Sequence, residues 1–385
     1  PKYTGKPTTI TMWAWTSNEN YSIEEFAKVY PNIKVEWEDF GVHYEKVQTA
    51  LSAGKGLPDV LMVEYSYAPQ FMDLGAFQPI NKWLDEKTFL ELYGEAALGW
   101  CAADGEIYGT PQDSGAIAMF YRKDLFDKYG ITVPKTREEF IEQAKKFKKA
   151  APHLKFFAAP IGNAMWWIGQ IWEAGGKVCD YADGNWYIDF TNPVAVEVFE
   201  TLGKWFDEGI LDLEMWWNAD WFNSLNQGTT AVVENGCWFA EWLRYNAPES
   251  EGKWRVAIPP QWNPAKPNNG MLGGSGFYVT SHSKNPEAAA IFVNWINSHP
   301  ASLKCLHNYS NLPIMVSSRY EEVLDEVAGP DAFFGGQNIG ETLWKAHQLV
   351  NTTFVALPIM SNVNESLSLL IQDYVGGKIK RFADI

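Results

Sequence analysis

The chain has no apolar run of about 18 residues, few cysteines and few basic residues for its length. Without such a run we expect no membrane-spanning helix. The opening segment, residues 1–7, lacks the charged-then-apolar pattern of a leader, so we expect a chain that is soluble as given, with any export signal already removed. The four cysteines have neither a metal-ligand spacing nor the density of a disulfide scaffold, and they leave the compartment undecided.

Positive charge is also scarce. The 385 residues include 47 Asp and Glu against 31 Lys and Arg, which gives a net charge of −16. Such a chain repels phosphate backbones and anionic lipid head groups at long range, so nucleic acid is excluded as an expected partner. Its length suggests two or three domains. We find no internal repeat of fixed period and no low-complexity tract.

Aromatic residues are abundant. The 19 Trp, 17 Tyr and 22 Phe make up 15% of the chain. Trp is difficult to bury completely, so this number of indole rings exceeds what a core alone requires. We therefore expect some of these rings to line a binding site.

The first third of the chain alternates between strand and helix patterns. Residues 10–15 read as a buried strand, residues 33–37 alternate between apolar and charged, and residues 59–63 form an apolar run, with helical spacing between them. This order predicts a parallel sheet covered by helices. Ligands of such sheets bind beyond the carboxyl ends of the strands, here the loop after Trp15 and the loop that starts at Glu64.

A new set of elements begins after a domain boundary that we place near Gln112. Thr136 and Glu139 form a capping box for a helix to about Ala150, and Asn192 with Pro193 opens another helix. An irregular region, residues 259–276, then precedes a strand at 277–280 and a helix opened at 285–286. Helical patterns dominate from residue 318 onward.

Several blocks in this order resemble the extracellular solute-binding proteins of carbohydrate ABC transporters, the family that includes maltose-binding protein. The strongest blocks are GKGLPDVLMVE at 54–64, DGEIYGTPQDSGAIAMFYRKDLFDKYGI at 104–131 and GGSGFYVTSHSKNPEAAAIFVNWI at 273–296. Weaker blocks are DGNWYIDFTNPVAVEVF at 183–199 and LNQGTTAVVENGCW at 225–238. Each block is short, but together they are collinear over most of the chain.

The resemblance implies a periplasmic-binding-protein-like α/β fold, in which two α/β lobes hold one ligand in the cleft between them and three chain crossings act as hinges. By that template, residues 1–112 and 276–312 form the N-terminal lobe, and residues 113–275 and 313–385 form the C-terminal lobe. The crossings are expected near Gln112, near Gly274 to Gly276, and near Leu312 and Pro313.

A sugar ring offers apolar faces and a rim of hydroxyls, so its site requires flat aromatic platforms with donors and acceptors at the edge. In the first lobe, Trp15, Asn18 and Glu19 occupy the switch-point position, although Trp15 is equally compatible with core packing, and Trp13 is expected in the core. Glu64, Tyr65 and Asp113 match family positions that touch sugar hydroxyls; the alternatives are a helix N-terminal carboxylate for Glu64 and a cap for Asp113. The candidate ligand-binding residues of this lobe are Trp15, Asn18, Glu19, Tyr44, Glu64, Tyr65 and Asp113, and His43 is not included.

The second lobe supplies paired indoles. Adjacent residues of a helix point about 100° apart, so we expect one ring of each pair to face the core and the other to face the ligand. Trp238 matches a ligand-contacting loop of the family and is the strongest candidate for stacking on a sugar. Gly274 and Ser275 lie at a crossing, where backbone amides can approach a hydroxyl or simply act as a hinge. The remaining candidates are Trp166, Trp167, Trp216, Trp217, Trp238, Gly274, Ser275 and Asn338, the last in a Gly-flanked loop with Phe334 and Gln337.

The alternative function is a secreted glycoside hydrolase, because aromatic clefts with paired carboxylates also suit that chemistry. Its candidate carboxylates are Glu64, Asp113, Glu234 and Glu241. A surface adhesion module is a third class, but such modules are usually all-β. The chain has no nucleophile elbow, phosphate-binding loop or metal-ligand set, so we assign no catalytic residue, metal or cofactor.

The expected function is therefore capture of an oligosaccharide and its delivery to the permease subunits of an ABC importer, without turnover. The number of indoles favours a ligand of several sugar units. The resemblance also implies export, either into a periplasm or to the cell surface through an N-terminal lipid on a cysteine that this sequence does not contain. By the same analogy the protein is expected to be a monomer.

Overall fold

The structure is a computed structural model, and it describes residues 3–15, 19–41, 44–182, 185–310, 315–351 and 356–385. Helices and strands alternate over most of these residues. The strands are β1 (Thr8–Ala14), β2 (Ile33–Asp39), β3 (Val60–Glu64), β4 (Ala102–Ala103), β5 (Glu106–Ile107), β6 (Gly109–Pro111), β7 (Ile117–Arg122), β8 (Lys155–Pro160), β9 (Cys179–Ala182), β10 (Asn185–Ile188), β11 (Leu211–Glu214), β12 (Thr230–Gly236), β13 (Trp254–Ala257) and β14 (Ser275–Val279).

The helices surround the sheets and are longest in the second half of the chain. They are α1 (Glu19–Val29), α2 (Tyr44–Ser52), α3 (Ala68–Asp73), α4 (Glu86–Tyr93), α5 (Leu98–Cys101), α6 (Lys123–Tyr129), α7 (Arg137–Ala150), α8 (Ala164–Glu173), α9 (Pro193–Asp207), α10 (Ala219–Gln227), α11 (Phe239–Asn246), α12 (Pro286–Ser298), α13 (Pro300–Ser310), α14 (Tyr320–Val327), α15 (Ile339–Gln348) and α16 (Met360–Val375). Among the described residues, none of these helices is long and apolar enough to cross a bilayer.

The chain divides into two compact units. Unit 1 comprises Pro1–Ser114, Gly274–Val327 and Val355–Met360, and unit 2 comprises Gly115–Gly273, Ala328–Phe354 and Ser361–Ile385. The sequence prediction instead assigned residues 313–385 to the second lobe as one piece. The third predicted crossing, at residues 312–313, lies outside the described residues, and the described segment 315–327 belongs to unit 1.

Unit 1 contains a five-stranded sheet in the order β2-β1-β3-β14-β6. Strands β1, β2 and β3 are parallel, as the alternation of strand and helix predicted, and β14 is antiparallel to both β3 and β6. Because β6 therefore runs in the same direction as β3, the carboxyl ends of β1, β2, β3 and β6 share one edge of the sheet. The amino end of β14 lies at that same edge.

Unit 2 contains a second five-stranded sheet, in the order β11-β8-β12-β7-β13. Strands β11, β8 and β12 are parallel, and β7 is antiparallel to β12 and β13. All seven residues of the central strand β12 are buried, as expected for a strand covered on both faces. The predicted α/β class is confirmed, since each unit is a sheet covered by helices.

Both helix starts inferred from sequence are present in unit 2. Thr136 accepts a hydrogen bond from the Glu139 amide at 3.2 Å at the start of α7. Asn192 Oδ1 accepts one from the Ala195 amide at 3.0 Å, with Pro193 at the first position of α9. These caps satisfy amides that the helix itself leaves without partners.

Replacement of Asn192 by alanine should lower the free energy of unfolding by about 1–2 kcal/mol. The side chain has two roles, because its Nδ2 also donates to the carbonyls of Asp189 at 2.7 Å and Lys177 at 3.1 Å. A urea titration followed by circular dichroism measures the shift. Asn192→Asp is the control: it keeps the capping oxygen but not the donor, so its free energy of unfolding should fall by less. An equal fall in the free energy of unfolding for both variants would contradict the assigned capping role.

Candidate functional site

The carboxyl-end edge of the unit 1 sheet brings together residues that are distant in sequence. Trp15 follows β1, Glu64 ends β3 and Asp113 follows β6. Ser275 opens β14 directly opposite Glu64 in the strand register. Open α/β sheets bind ligands at this kind of edge. We refer to these four residues with Tyr44, which begins α2, as the unit 1 edge.

Hydrogen bonds fix both carboxylates of the unit 1 edge. Tyr44 Oη donates to Glu64 Oε2 at 3.2 Å and accepts from the Glu64 amide at 3.1 Å. Asp113 Oδ1 accepts from the Ser275 amide at 2.8 Å and from Ser275 Oγ at 2.7 Å. Tyr65 Oη donates to the Asp113 carbonyl at 2.9 Å, which holds this segment against the end of β3. The two carboxylates are therefore oriented by neighbours rather than by solvent.

The pKa values of both carboxyls lie above their usual values. Burial raises the pKa of Glu64, the Tyr44 hydroxyl opposes that rise, and the nearby charge of Asp113 adds to it. Burial also raises the pKa of Asp113, against the hydrogen bonds from Ser275. A carboxylate in such a position can accept hydrogen bonds from two adjacent sugar hydroxyls.

Aromatic rings continue the unit 1 edge. Trp15 is half-buried and lies 6.2 Å from Phe40, measured between ring centroids. Tyr44 lies 4.3 Å from Tyr67, which is half-buried at the start of α3. The sequence reasoning did not include Tyr67; its position two residues after Tyr65, beyond the end of β3, was the signal that could have identified it.

The other unit 1 candidates occupy different environments. Asn18, like the omitted His43, lies outside the described residues. Glu19 begins α1 and is completely buried. Tyr65 is buried and stacks on Trp100 at 4.7 Å. Gly274 accepts a hydrogen bond from the Tyr65 amide through its carbonyl at 3.0 Å. Their roles in binding stay predictions.

In unit 2, the indoles cluster at the carboxyl-end edge of the sheet. Trp216 and Trp217 follow β11, and Trp238 follows β12 and precedes α11. Trp217 lies 5.6 Å from Trp238 with nearly parallel rings and 5.7 Å from Trp242, again between centroids. Trp217 and Trp242 are 39% and 48% exposed, so the cluster presents apolar faces to solvent. We call Trp217, Trp238 and Trp242 the indole platform.

The Trp238 ring is held in a narrow slot. Its Nε1 donates to the Leu272 carbonyl at 2.7 Å. A Cβ on Gly236 would lie 2.3 Å from that nitrogen, and one on Gly273 would lie 3.0 Å from it, where φ is also +73°. Glycine is therefore required at both positions for the ring to lie as it does. The half-buried ring keeps an apolar face that is not used by its hydrogen bond.

Trp217 has an unusual backbone conformation for a large residue, with φ of +67°. Such left-handed backbone is costly for residues other than glycine, and it persists only where the surrounding structure enforces it. Trp217 lies between Trp216, which is 6% exposed, and the solvent. This pair therefore has one buried and one exposed ring, although it lies between β11 and α10 and not on the helix from which the sequence prediction argued.

The same prediction is wrong for Trp166 and Trp167, because both rings are completely buried. Trp166 Nε1 donates to the Glu234 carbonyl and Trp167 Nε1 to the Pro160 carbonyl, each at 2.9 Å. Nine of the ten residues of α8 are buried, so the helix has no solvent face on which a ring could lie. In this structure the two indoles form part of the unit 2 core.

The Gly-flanked loop before α15 is bonded to the sheet. Phe334 is completely buried, and Gln337 bonds the edge strand β13 through Oε1 to the Val256 amide at 2.8 Å and through Nε2 to the Val256 carbonyl at 2.7 Å. Asn338 precedes α15 and donates to Glu341 at 2.9 Å. This contact gives Asn338 a structural role, and its binding role stays a prediction.

The carboxylates considered for a hydrolase are differently placed. Glu234 is completely buried and bonded to Arg137, whereas Glu241 lies in the first turn of α11, beside the indole platform. Burial raises the pKa of Glu241 to about 7, against the favourable charge of Arg244. Within the described ranges, no group of three or more His, Cys, Asp or Glu is arranged to hold a metal ion.

Comparison with known proteins gives a consistent result. A protein-family model described as bacterial extracellular solute-binding protein matches residues 14–302. The lactose-binding protein of Rhizobium radiobacter is 26% identical over 372 residues, which cover 92% of this chain and 85% of that protein. The arabinooligosaccharide-binding protein of Halalkalibacterium halodurans is 23% identical over 358 residues, covering 91% of this chain and 79% of that protein.

A solved structure is similar over nearly the whole chain. It is an ABC transporter-associated binding protein of B. animalis subsp. lactis in complex with β-1,6-galactobiose. The TM-score is 0.75 and the sequence identity 25%, and the match covers 96% of this chain and 97% of that one.

Proposed function

Because the chain belongs to the bacterial extracellular solute-binding protein family, we propose that it captures an oligosaccharide outside the cytoplasm and delivers it to the permease of an ABC importer. The family is one of binding proteins, so the ligand is released unchanged. The sugar-binding relatives support an oligosaccharide as the cargo.

The observation that carries the proposal is the indole platform. Trp238 is fixed at a strand end by the Leu272 carbonyl and by two glycines. The exposed ring of Trp217 lies beside it, and the exposed ring of Trp242 lies beside Trp217. A flat ring held in this way can stack on the apolar face of a pyranose without losing side-chain freedom on binding. Three neighbouring indoles offer area for more than one sugar ring.

The unit 1 edge supplies the polar contacts in this proposal. Glu64 and Asp113 each use one carboxylate oxygen on a neighbour, and the other oxygen accepts hydrogen bonds from ligand hydroxyls. Tyr44 and Ser275 hold the two carboxylates in place. The hydroxyls of a sugar thus replace water at groups that are already oriented.

The choice of sugar follows the relatives. One binds lactose by name, another arabinooligosaccharides, and the galactobiose complex adds a second β-galactoside. We propose β-linked galactosides as the first class to test. The proposal also includes export, either into a periplasm or to the cell surface through an N-terminal lipid, and a monomeric state.

Isothermal titration calorimetry against lactose, β-1,6-galactobiose, arabinotriose and maltotriose tests the proposal. We expect saturable binding of one class with a Kd of about 1 μM or tighter, which corresponds to about 8 kcal/mol. Chromatography of each sugar after overnight incubation is the second readout. Recovery of intact sugar supports binding without turnover, whereas cleaved sugar would establish a hydrolase and direct attention to Glu64, Asp113 and Glu241.

A further inference from the structure

Among the described residues, the unit 1 edge has two carboxyls and no opposing cation acting on them. Glu64 and Asp113 lie on either side of Ser275, close enough for the charge of Asp113 to act on Glu64. The groups that act on the two carboxyls are Tyr44, Ser275 and the carboxyls themselves. No lysine, arginine or histidine among the described residues contributes. The described groups at this edge therefore carry negative charge or none.

Each carboxyl keeps one oxygen that accepts no hydrogen bond from another residue of the described chain. Glu64 uses Oε2 for Tyr44, and Asp113 uses Oδ1 for Ser275. A hydroxyl or an ammonium group can donate to the remaining oxygens, whereas a ligand carboxylate can only accept. An anionic ligand would add a second negative charge where burial already disfavours the first.

The charged side chains near the indole platform of unit 2 also disfavour an anionic ligand. Glu241 lies three residues after Trp238 in the first turn of α11. The nearest cation on that helix, Arg244, is bonded through both terminal nitrogens to Asp331. Arg137, which bonds Glu234 of the preceding strand, also pairs with Glu173. These two arginines therefore already have carboxylate partners, and an anionic sugar would have to displace one.

The net charge of the whole chain, −16, also disfavours the approach of an anionic ligand before any contact forms. Whichever edge contacts a given sugar unit, the described side chains offer acceptors and aromatic faces. From this placement we propose that the protein selects its oligosaccharide by charge, binding neutral and amino sugars and rejecting sugars that carry a carboxylate. The proposal rests on the proposed function, since it names the ligand class of the same site.

Three matched ligands test the charge selection. Lactose, its 6′-amino-6′-deoxy derivative and its 6′-carboxylate differ at one carbon and have nearly the same size. The same trio is made from β-1,6-galactobiose if that sugar binds more tightly. By calorimetry at pH 7.5 we expect the carboxylate to bind at least tenfold more weakly than the parent, and the amine at least as tightly as the parent.

The double variant Glu64→Gln/Asp113→Asn replaces two ionisable carboxyls by neutral amides and keeps the side-chain shapes. We expect the ratio of carboxylate to parent Kd to fall to within about threefold, whatever happens to the parent affinity itself. The control is Asp104→Asn/Glu106→Gln, which removes two charges from the exposed β4–β5 hairpin of the same unit and should leave the ratio unchanged.

The outcomes separate the two proposals. If no neutral sugar of the full panel binds, the proposed function itself is wrong. If the parent and its carboxylate bind equally, only the charge selection is wrong. If the amine and the carboxylate both bind more weakly than the parent sugar by the same factor, the effect at that carbon is steric, and the charge selection is overturned. A ratio unchanged by the double variant would remove Glu64 and Asp113 as its cause.

Discussion

Replacing Trp238 with alanine should weaken sugar binding between about 30-fold and 1,000-fold. Truncating a central, well-packed Trp at an interface costs about 2–4 kcal/mol, and each 1.4 kcal/mol is a factor of ten. The effect should be large here because the ring is already fixed before the ligand arrives: its Nε1 is bonded to the Leu272 carbonyl, and Gly236 and Gly273 leave no other space for it. Calorimetry with the sugar that binds the wild-type protein measures the loss.

Two variants separate stacking from folding. Trp238→Phe keeps a flat ring but loses the hydrogen bond to Leu272, so its affinity should fall by no more than about tenfold. Trp186→Ala removes a more exposed indole, 46% exposed, from the β9–β10 hairpin, and its affinity should equal that of the wild type. Unchanged binding by a folded Trp238→Ala variant, as judged by circular dichroism, would remove the indole platform from the proposed site.

Position in the fold was easier to predict from sequence than the direction of a ring. Trp238 follows β12 and Glu64 ends β3, and the end of a strand is visible in the hydrophobic pattern. The orientations of Trp166 and Trp167 were not predictable, because the polar residues of α8, Gln170 and Glu173, are themselves buried and therefore do not mark a solvent face. Trp242 was not among the sequence candidates, although a spacing of four residues from Trp238 is typical of side chains on one face of a helix.

The order of the strands in the unit 1 sheet was likewise not predictable from local sequence patterns. Local patterns identified β1, β2 and β3, the caps of α7 and α9, and the strand that became β14. They did not show that β14 would lie between β3 and β6, because that pairing joins segments more than 160 residues apart. This insertion is what places Ser275 between Glu64 and Asp113. The resemblance to solute-binding proteins, now confirmed, implied these positions without giving their hydrogen bonds.

Loss of Arg137 should destabilise the protein more than any other single change considered. Its Nη1 bonds Glu234 Oε1 at 2.8 Å and its Nη2 bonds Glu173 Oε2 at 2.7 Å, and all three side chains are buried. Arg137→Met would leave two buried carboxyls without their cation. Breaking a buried pair in this way costs about 3–5 kcal/mol. Urea titration at pH 8 measures the loss.

The network also makes stability depend on pH. Burial raises the pKa of Glu173 to about 8, Arg137 opposes this rise, and Glu234 adds to it. Two further polar groups act on this cluster: Gln170 donates to Glu234 and accepts from Arg137, and the Trp262 side chain opposes the rise in the pKa of Glu173. Between the usual pKa of a glutamate, near 4.5, and about 8, the folded chain holds a proton that the unfolded chain releases. Stability from this group is therefore complete below about pH 4.5 and is lost as the pH rises toward 8.

Glu173→Gln isolates that contribution, because glutamine keeps the shape and cannot lose a proton. The melting temperature of the wild type should fall between pH 5 and pH 8.5 by more than that of the variant, and the variant should be the more stable of the two at pH 8.5. The triple variant Arg137→Met/Glu173→Gln/Glu234→Gln carries no buried charge, so it should recover much of the stability that Arg137→Met loses. Parallel pH profiles for Glu173→Gln and the wild type, or a triple variant no more stable than Arg137→Met, would show that buried charge does not govern this part of the core.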